Sequence, residues 1–336
     1  MSGFRPAWWL PGPHPQTVWG RFTRPRRLVE TRREALVTPD GDELLVDHLD
    51  AAAGAPRVVL LHGLEGSSNS VYVQGFLAVA RRLGLAATAL NFRSCARDPD
   101  DLDRMLMNRL PRLYHSGETT DLDFVVRTLA ARAPDVPLAA VGVSLGGNVL
   151  LKWLGENPGQ RLVSAAATLS TPYDLAAGSR YLEGPLMGRL YVAKFLKTLR
   201  PKAIDIVARF PETASRIDLA RLARAKTFWE LDDAATGPLH GFAGADDYYA
   251  RSSSLRVLGR IAIPTLCISA KDDPFLPAHV LEEVARVASP AVTLVATERG
   301  GHVGFVAGAR PKSPVYWAEE LAVSFVASRS LVASRL

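Results

Sequence analysis

The sequence predicts an α/β fold: a mostly parallel, eight-stranded sheet with helices on both faces and an inserted helical lid. Three observations carry this. Short apolar, β-branched runs alternate with segments of helical spacing over residues 57–169, and the pattern returns after 263. One of these runs, 138–143, ends in Gly142-Val143-Ser144-Leu145-Gly146 and leaves at once as a helical pattern over 145–154. Between about 174 and 260 the alternation stops, and helical patterns broken by Pro201, Pro211, Gly237 and Gly241 take over. The chain thus divides into a core half with an N-terminal arm at 1–173, a lid at 174–260 and a second core half at 261–336.

The elements follow in order. Residues 4–22 read as an irregular arm, because Pro6, Pro11, Pro13 and Pro15 interrupt Trp8, Trp9, Leu10 and Trp19. The aromatics are expected to pack on the body. Residues 31–38 and 43–49 form a hairpin around Pro39-Asp40-Gly41-Asp42. A strand at 57–61, a helix at 71–83 closed by Gly84, and a strand at 85–91 come next. A charged loop around 98–104 is expected to be exposed, and a helix at 120–132 carries Glu118 and Asp121 at its N-terminal end. Beyond the 138–143 strand and its helix lies a strand at 163–169. Within the lid, 187–199 and 214–225 have helical spacing. Phe228, Trp229, Phe242, Tyr248 and Tyr249 read as lid core, or as lining of an apolar pocket. The sheet resumes at 263–270, then a helix at 278–287, a strand at 292–297 and a closing helix at 318–328.

Length and composition set bounds. With 336 residues, nearly half of them hydrophobic, the chain can bury one large core plus an insertion. The net charge of +6 comes from scattered arginines, clustered only at Arg24-Pro25-Arg26-Arg27 and Arg32-Arg33. No nucleic-acid motif accompanies them, so a solvated basic face is expected and no nucleic-acid partner. Cys95 and Cys267 make neither a disulfide framework nor a zinc spacing. Cys267, in an apolar strand, is expected to be buried and inert, and Cys95 to be structural. There is no apolar signal core at 1–16 and no charge-free run of membrane-spanning length. A cytoplasmic protein without stable membrane insertion is the expectation.

Four stretches carry chemistry. Gly-x-Ser-x-Gly between a strand and a helix is a nucleophile elbow: the turn is so tight that only small residues fit two positions to either side of Ser144, hence Gly142 and Gly146. It exposes the hydroxyl beside the first amide of a helix, where an anion is favoured. The strand at 57–61 ends in His62-Gly63-Leu64-Glu65-Gly66, which brings a backbone amide toward the elbow. The N–H groups of Leu64 and Leu145 are the expected oxyanion-hole donors, with His62 as a brace for the loop. Lys271-Asp272-Asp273-Pro274 follows a strand, where a carboxylate can orient a histidine. Asp273 is preferred over Asp272, which is expected to bond within its own turn. His302, among glycines after the last strand, is the expected general base. Tyr114, His115 and His240 read as loop-packing and turn residues. The order Ser…Asp…His is that of α/β-hydrolases.

These motifs together resemble the YheT-like branch of the α/β-hydrolases, related to the eukaryotic ABHD1/ABHD3 lipases and plant EMB8 proteins. The resemblance is carried by His62-Gly-Leu-Glu-Gly-Ser67, Asn91-Phe-Arg93, Leu113-Tyr-His-Ser-Gly117, Gly142-Val-Ser-Leu-Gly-Gly-Asn148, Lys271-Asp-Asp-Pro-Phe275 and Gly300-Gly-His-Val-Gly-Phe305. Trp9-Leu-Pro-Gly-Pro-His-Pro-Gln-Thr17 and Pro238-Leu-His-Gly-Phe-Ala243 add to it, while residues 100–108 look like an insertion. It implies an α/β-hydrolase fold and a serine esterase with the triad Ser144, Asp273 and His302, needing no cofactor or metal. The expected substrate is a small ester of short to medium acyl chain. The alternatives are an acyltransferase, a lipid-directed lipase or phospholipase with the same triad, and a non-catalytic ligand-binding protein.

Overall fold

The structure, a computed structural model, describes residues 3–333. Eight strands form the main sheet: β1 (Arg32–Val37), β2 (Glu43–Leu49), β3 (Arg57–Leu61), β4 (Ala86–Leu90), β5 (Leu138–Val143), β6 (Val163–Leu169), β7 (Thr265–Ala270) and β8 (Val292–Thr297). Their order across the sheet is β1-β2-β4-β3-β5-β6-β7-β8. The β1–β2 hairpin and the β2–β4 pair are antiparallel, and every pair from β4 through β8 is parallel.

Both faces of this sheet are covered, which is why its central strands are apolar throughout rather than alternating. In β3, Val59 and Leu61 join one core and Val58 and Leu60 the other. The first core takes in α3 (Thr120–Arg132) and α4 (Leu145–Glu156), with α11 (His279–Val287). The second takes in α2 (Val71–Arg82) and the closing helix α12 (Trp317–Ala333). Parallel strands place all their C-terminal ends on one edge, and the loops after β3, β5, β6, β7 and β8 meet there.

Between β6 and β7 stand six α-helices: α5 (Leu175–Glu183), α6 (Leu186–Arg209), α7 (Leu219–Arg224), α8 (Phe228–Leu231), α9 (Gly237–Leu239) and α10 (Ala245–Ser252). They have a core of their own, built on Val192, Leu196, Ile206, Leu222 and Leu231, against which Phe228 packs. Tyr248 and Tyr249 are buried in a second cluster with Trp229 and Phe242 at its margin.

The sequence misjudges two proline-bearing segments. The arm is not irregular throughout, because α1 (Pro13–Thr23) is an eleven-residue helix. Its Pro13 and Pro15 stand in the first turn, where backbone N–H groups have no intrahelical partner to lose. In the insertion, α6 runs unbroken through Pro201 for 24 residues. Pro201 is exposed, so the carbonyl it leaves unbonded one turn back can turn to water. The expected helix at 214–225 is shorter, with only Leu219–Arg224 α-helical behind the N-cap Asp218, whose carboxylate accepts the Arg221 N–H. A two-stranded ribbon, β9 (Val306–Ala307) with β10 (Val315–Tyr316), also went unforeseen. Among the described residues no helix is long and apolar enough to cross a membrane.

Candidate active site

Ser144 stands between β5 and α4 with φ 53° and ψ −120°, a conformation that costs an L-residue energy and persists only where the surroundings impose it. The surroundings here are backbone. A Cβ on Gly142 would lie 2.5 Å from the Gly146 carbonyl oxygen, and one on Gly146 would lie 2.5 Å from that of His62. Neither obstacle can rotate away, so both positions require glycine. The Ser144 N–H donates to Leu169 O at 2.8 Å, which ties the turn to β6.

His302 lies 158 residues further on, in the loop after β8, with its Nε2 at 2.9 Å from Ser144 Oγ. Its Nδ1 is 2.9 Å and 3.1 Å from the two carboxylate oxygens of Asp273. A carboxylate accepts, so Nδ1 carries the proton and Nε2 is free to accept the Ser144 hydroxyl. Asp273 is buried, and its Oδ1 also accepts the Phe275 N–H at 2.8 Å. Asp272 does not bond inside its own turn as expected. Its Oδ1 accepts the Gly301 N–H at 2.9 Å and so ties the β7 loop to the loop of His302.

The His62 loop passes beside the elbow, close enough that a Cβ on Gly63 would be 3.1 Å from Ser144 Cβ. The Gly63 N–H donates to Tyr72 Oη at 2.8 Å. The N–H groups of Leu64 and Leu145 have no hydrogen-bond partner within the described chain. His62 donates from Nδ1 to Gly63 O at 2.7 Å and accepts the Phe92 N–H at Nε2, 3.1 Å away. Burial pushes its pKa down to about 4, so it is a neutral brace whose two nitrogens are both engaged. His240 is likewise engaged, with Leu113 and Thr236, and the His115 ring packs against it at a tilt of 52°. Cys95 and Cys267 are buried, and burial pushes both thiols up to about 11. Among the described residues no three His, Cys, Asp or Glu side chains are grouped to hold a metal ion.

Several residues at this edge escaped the sequence reading. Phe275 stacks on the His302 ring with centroids 4.3 Å apart. Ser170, itself at φ 52°, accepts the Val303 N–H through Oγ at 2.9 Å. Thr17 Oγ accepts the His302 N–H at 2.9 Å. Glu65 is held by Tyr114 Oη at 2.8 Å and by Lys202 Nζ, from α6, at 2.6 Å. Of these, Glu65 lies inside a stretch that signals chemistry, Phe275 and Thr17 lie only in motifs that carry the family resemblance, and Ser170 lies in neither. Glu65, Ser144, Ser170, Val303 and Phe305 all have positive φ, so strained backbone gathers where the loops converge.

A strained serine on a strand–helix corner, bonded to a histidine that is bonded to a buried carboxylate, on the C-terminal edge of a parallel sheet, defines a class of protein. The chain belongs to the α/β-hydrolase family, whose model, described as the alpha/beta hydrolase fold, matches residues 56–309. Within it the chain is YheT-like: it is 38% identical over 298 residues to YheT of Escherichia coli (strain K12), covering 88% of this chain and 84% of that one. It is 31% identical over 322 residues to the phospholipase ABHD3 of Bos taurus, covering 93% and 75%. Among solved structures, the Pyrococcus furiosus esterase Pf2001 superposes with a TM-score of 0.55 at 16% identity, covering 91% of this chain and 97% of that one. At that identity the likeness shows the shared fold.

Proposed function

We propose that the chain is a serine hydrolase that cleaves carboxylic esters of short to medium acyl chain through an acyl-enzyme. The observation that carries this is the continuous hydrogen-bonded chain Ser144–His302–Asp273. His302 Nε2 takes the Ser144 proton as Oγ attacks the ester carbonyl, and Asp273 stabilises the imidazolium that forms. The unpartnered N–H groups of Leu64 and Leu145 receive the oxyanion. His302 then protonates the leaving alcohol. A water, deprotonated by the same Nε2, releases the acid and regenerates Ser144. The names of two relatives, the phospholipase ABHD3 and a monoacylglycerol lipase of Saccharomyces cerevisiae, support an ester of a lipid as a second reading.

Labelling with a fluorophosphonate probe tests the mechanism. Wild-type protein is expected to label at Ser144, and Ser144→Ala to lose labelling and roughly six orders of magnitude of ester turnover. An unlabelled wild type, or equal labelling of Ser144→Ala, defeats the proposal. A graded series of p-nitrophenyl esters, run beside monoacylglycerol and phospholipid substrates, separates the two readings. Ester products formed in the presence of competing alcohols would instead mark acyl transfer.

A further inference from the structure

The segment Leu10-Pro-Gly-Pro-His-Pro-Gln-Thr17 has no part in the mechanism above, yet it lies against the loop that carries His302. Gln16 is buried, and its side chain bonds Val306 twice: Nε2 donates to the Val306 carbonyl at 3.1 Å, and Oε1 accepts the Val306 N–H at 2.7 Å. The Thr17 hydroxyl donates back to Pro13 O at 2.7 Å, and its oxygen accepts the His302 N–H at 2.9 Å. The contact is too close for side chains. A Cβ on Gly301 would strike the Pro13 carbonyl oxygen, and one on Gly304 would strike that of Gln16.

The same helix also reaches the imidazole indirectly. His14 Nδ1 is 3.1 Å from Tyr191 Oη on α6. The Tyr191 ring packs on Phe275 at 4.9 Å, and Phe275 stacks on His302. Thus α1 touches the backbone of His302 directly and its ring through two aromatics.

We propose that α1 is a working part of the catalytic site and that Thr17 is a positioning residue for His302. This rests on the triad reading. His302 sits in a loop with no helical or sheet ladder of its own, beside Val303 and Phe305 at φ 62° and 44°. Its ring position sets the 2.9 Å contact with Ser144, and Thr17 fixes the peptide from which that ring projects. Misplacing a reacting group by about 1 Å can cost roughly a hundredfold in rate.

The test compares Thr17→Val, which keeps the shape and removes the acceptor, with Thr17→Ser, which keeps the acceptor. The readouts are the rate constant and end point of fluorophosphonate labelling, and kcat and KM for p-nitrophenyl acetate. Thr17→Val is expected to label to the wild-type end point at a rate about tenfold lower, with kcat falling in step and KM within about twofold. Thr17→Ser is expected to match wild type. Should Thr17→Val not fold, Thr17→Ala replaces it with the same expectation. Wild-type rates in the Val or Ala variant overturn the proposal. So does a slower variant whose end point falls in proportion, since that reports lost folded protein, and so does a Ser variant that fails to restore the rate. An unlabelled wild type defeats the triad reading itself. A labelled wild type with an indifferent Thr17 defeats only the positioning role.

Discussion

Asp272 and Asp273 share a side chain and a loop, and a one-residue step gives them different partners. Asp273 faces the His302 ring, and Asp272 faces the backbone N–H of Gly301. Asp273→Asn is therefore expected to lower kcat by roughly 10³–10⁴, because an amide can present its NH₂ to the ring and favour the wrong tautomer. Asp272→Asn keeps an oxygen for Gly301 and is expected to retain activity within about threefold, since it leaves the ring's partner untouched. Steady-state kinetics on the two variants checks the assignment. At this scale the sequence was informative where chemistry demands a local pattern. Ser144 needs glycine two residues to either side, and that pattern is visible in five letters. Ser170 and Thr17 were not legible, because each acts by accepting one backbone N–H from a segment 133 or 285 residues away. No periodicity records such a contact.

At the scale of elements, the prolines of α1 and α6 show what propensity can and cannot say. Proline is costly inside a helix only when it removes a bond that nothing replaces. In α1 there was no bond to remove, and in α6 the lost bond faces water. The eight strands of the main sheet, by contrast, are legible to within a few residues, the central ones because burial on both faces makes them largely apolar. What spacing left hidden was Lys202, one residue after Pro201, which α6 buries against Glu65 of the His62 loop. A buried lysine opposite a buried glutamate ties the insertion to the C-terminal edge of the sheet. Lys202→Met is expected to destabilise the fold by about 3 kcal/mol, since it strands the Glu65 charge. Glu65→Gln with Lys202→Met is expected to recover most of that loss. Urea unfolding of the two variants against wild type decides it.

Over the whole molecule, buried groups of opposite kind set the response to pH. Burial pushes His62 down to about 4, and burial with the neighbouring His240 pushes His115 down to about 3. The unfolded chain protonates these histidines below about 6.5 and the folded one does not, so they make stability fall as pH drops from there toward 4. Burial pushes Asp232 up to about 6 and Glu319 up to about 7. Here the folded state binds the proton first, so these two make stability rise as pH falls through 7 and 6 toward 4. The slopes oppose each other between pH 6 and pH 4. Asp232→Asn removes one rising contribution. It is expected to be more stable than wild type above pH 6, by at most roughly 3 kcal/mol, and to lose that advantage by about pH 4. Denaturant midpoints measured from pH 4 to pH 8 test this sign. The bond between Thr17 and His302 spans 285 residues of chain, and it has a further meaning in time. Synthesis makes α1 before Ser144 and Ser144 before His302. Under the proposed mechanism, a growing chain therefore carries Ser144 through more than a hundred residues of synthesis before His302 is there to take its proton. By that mechanism, the site is complete only when the loop after β8 comes back to meet the first helix.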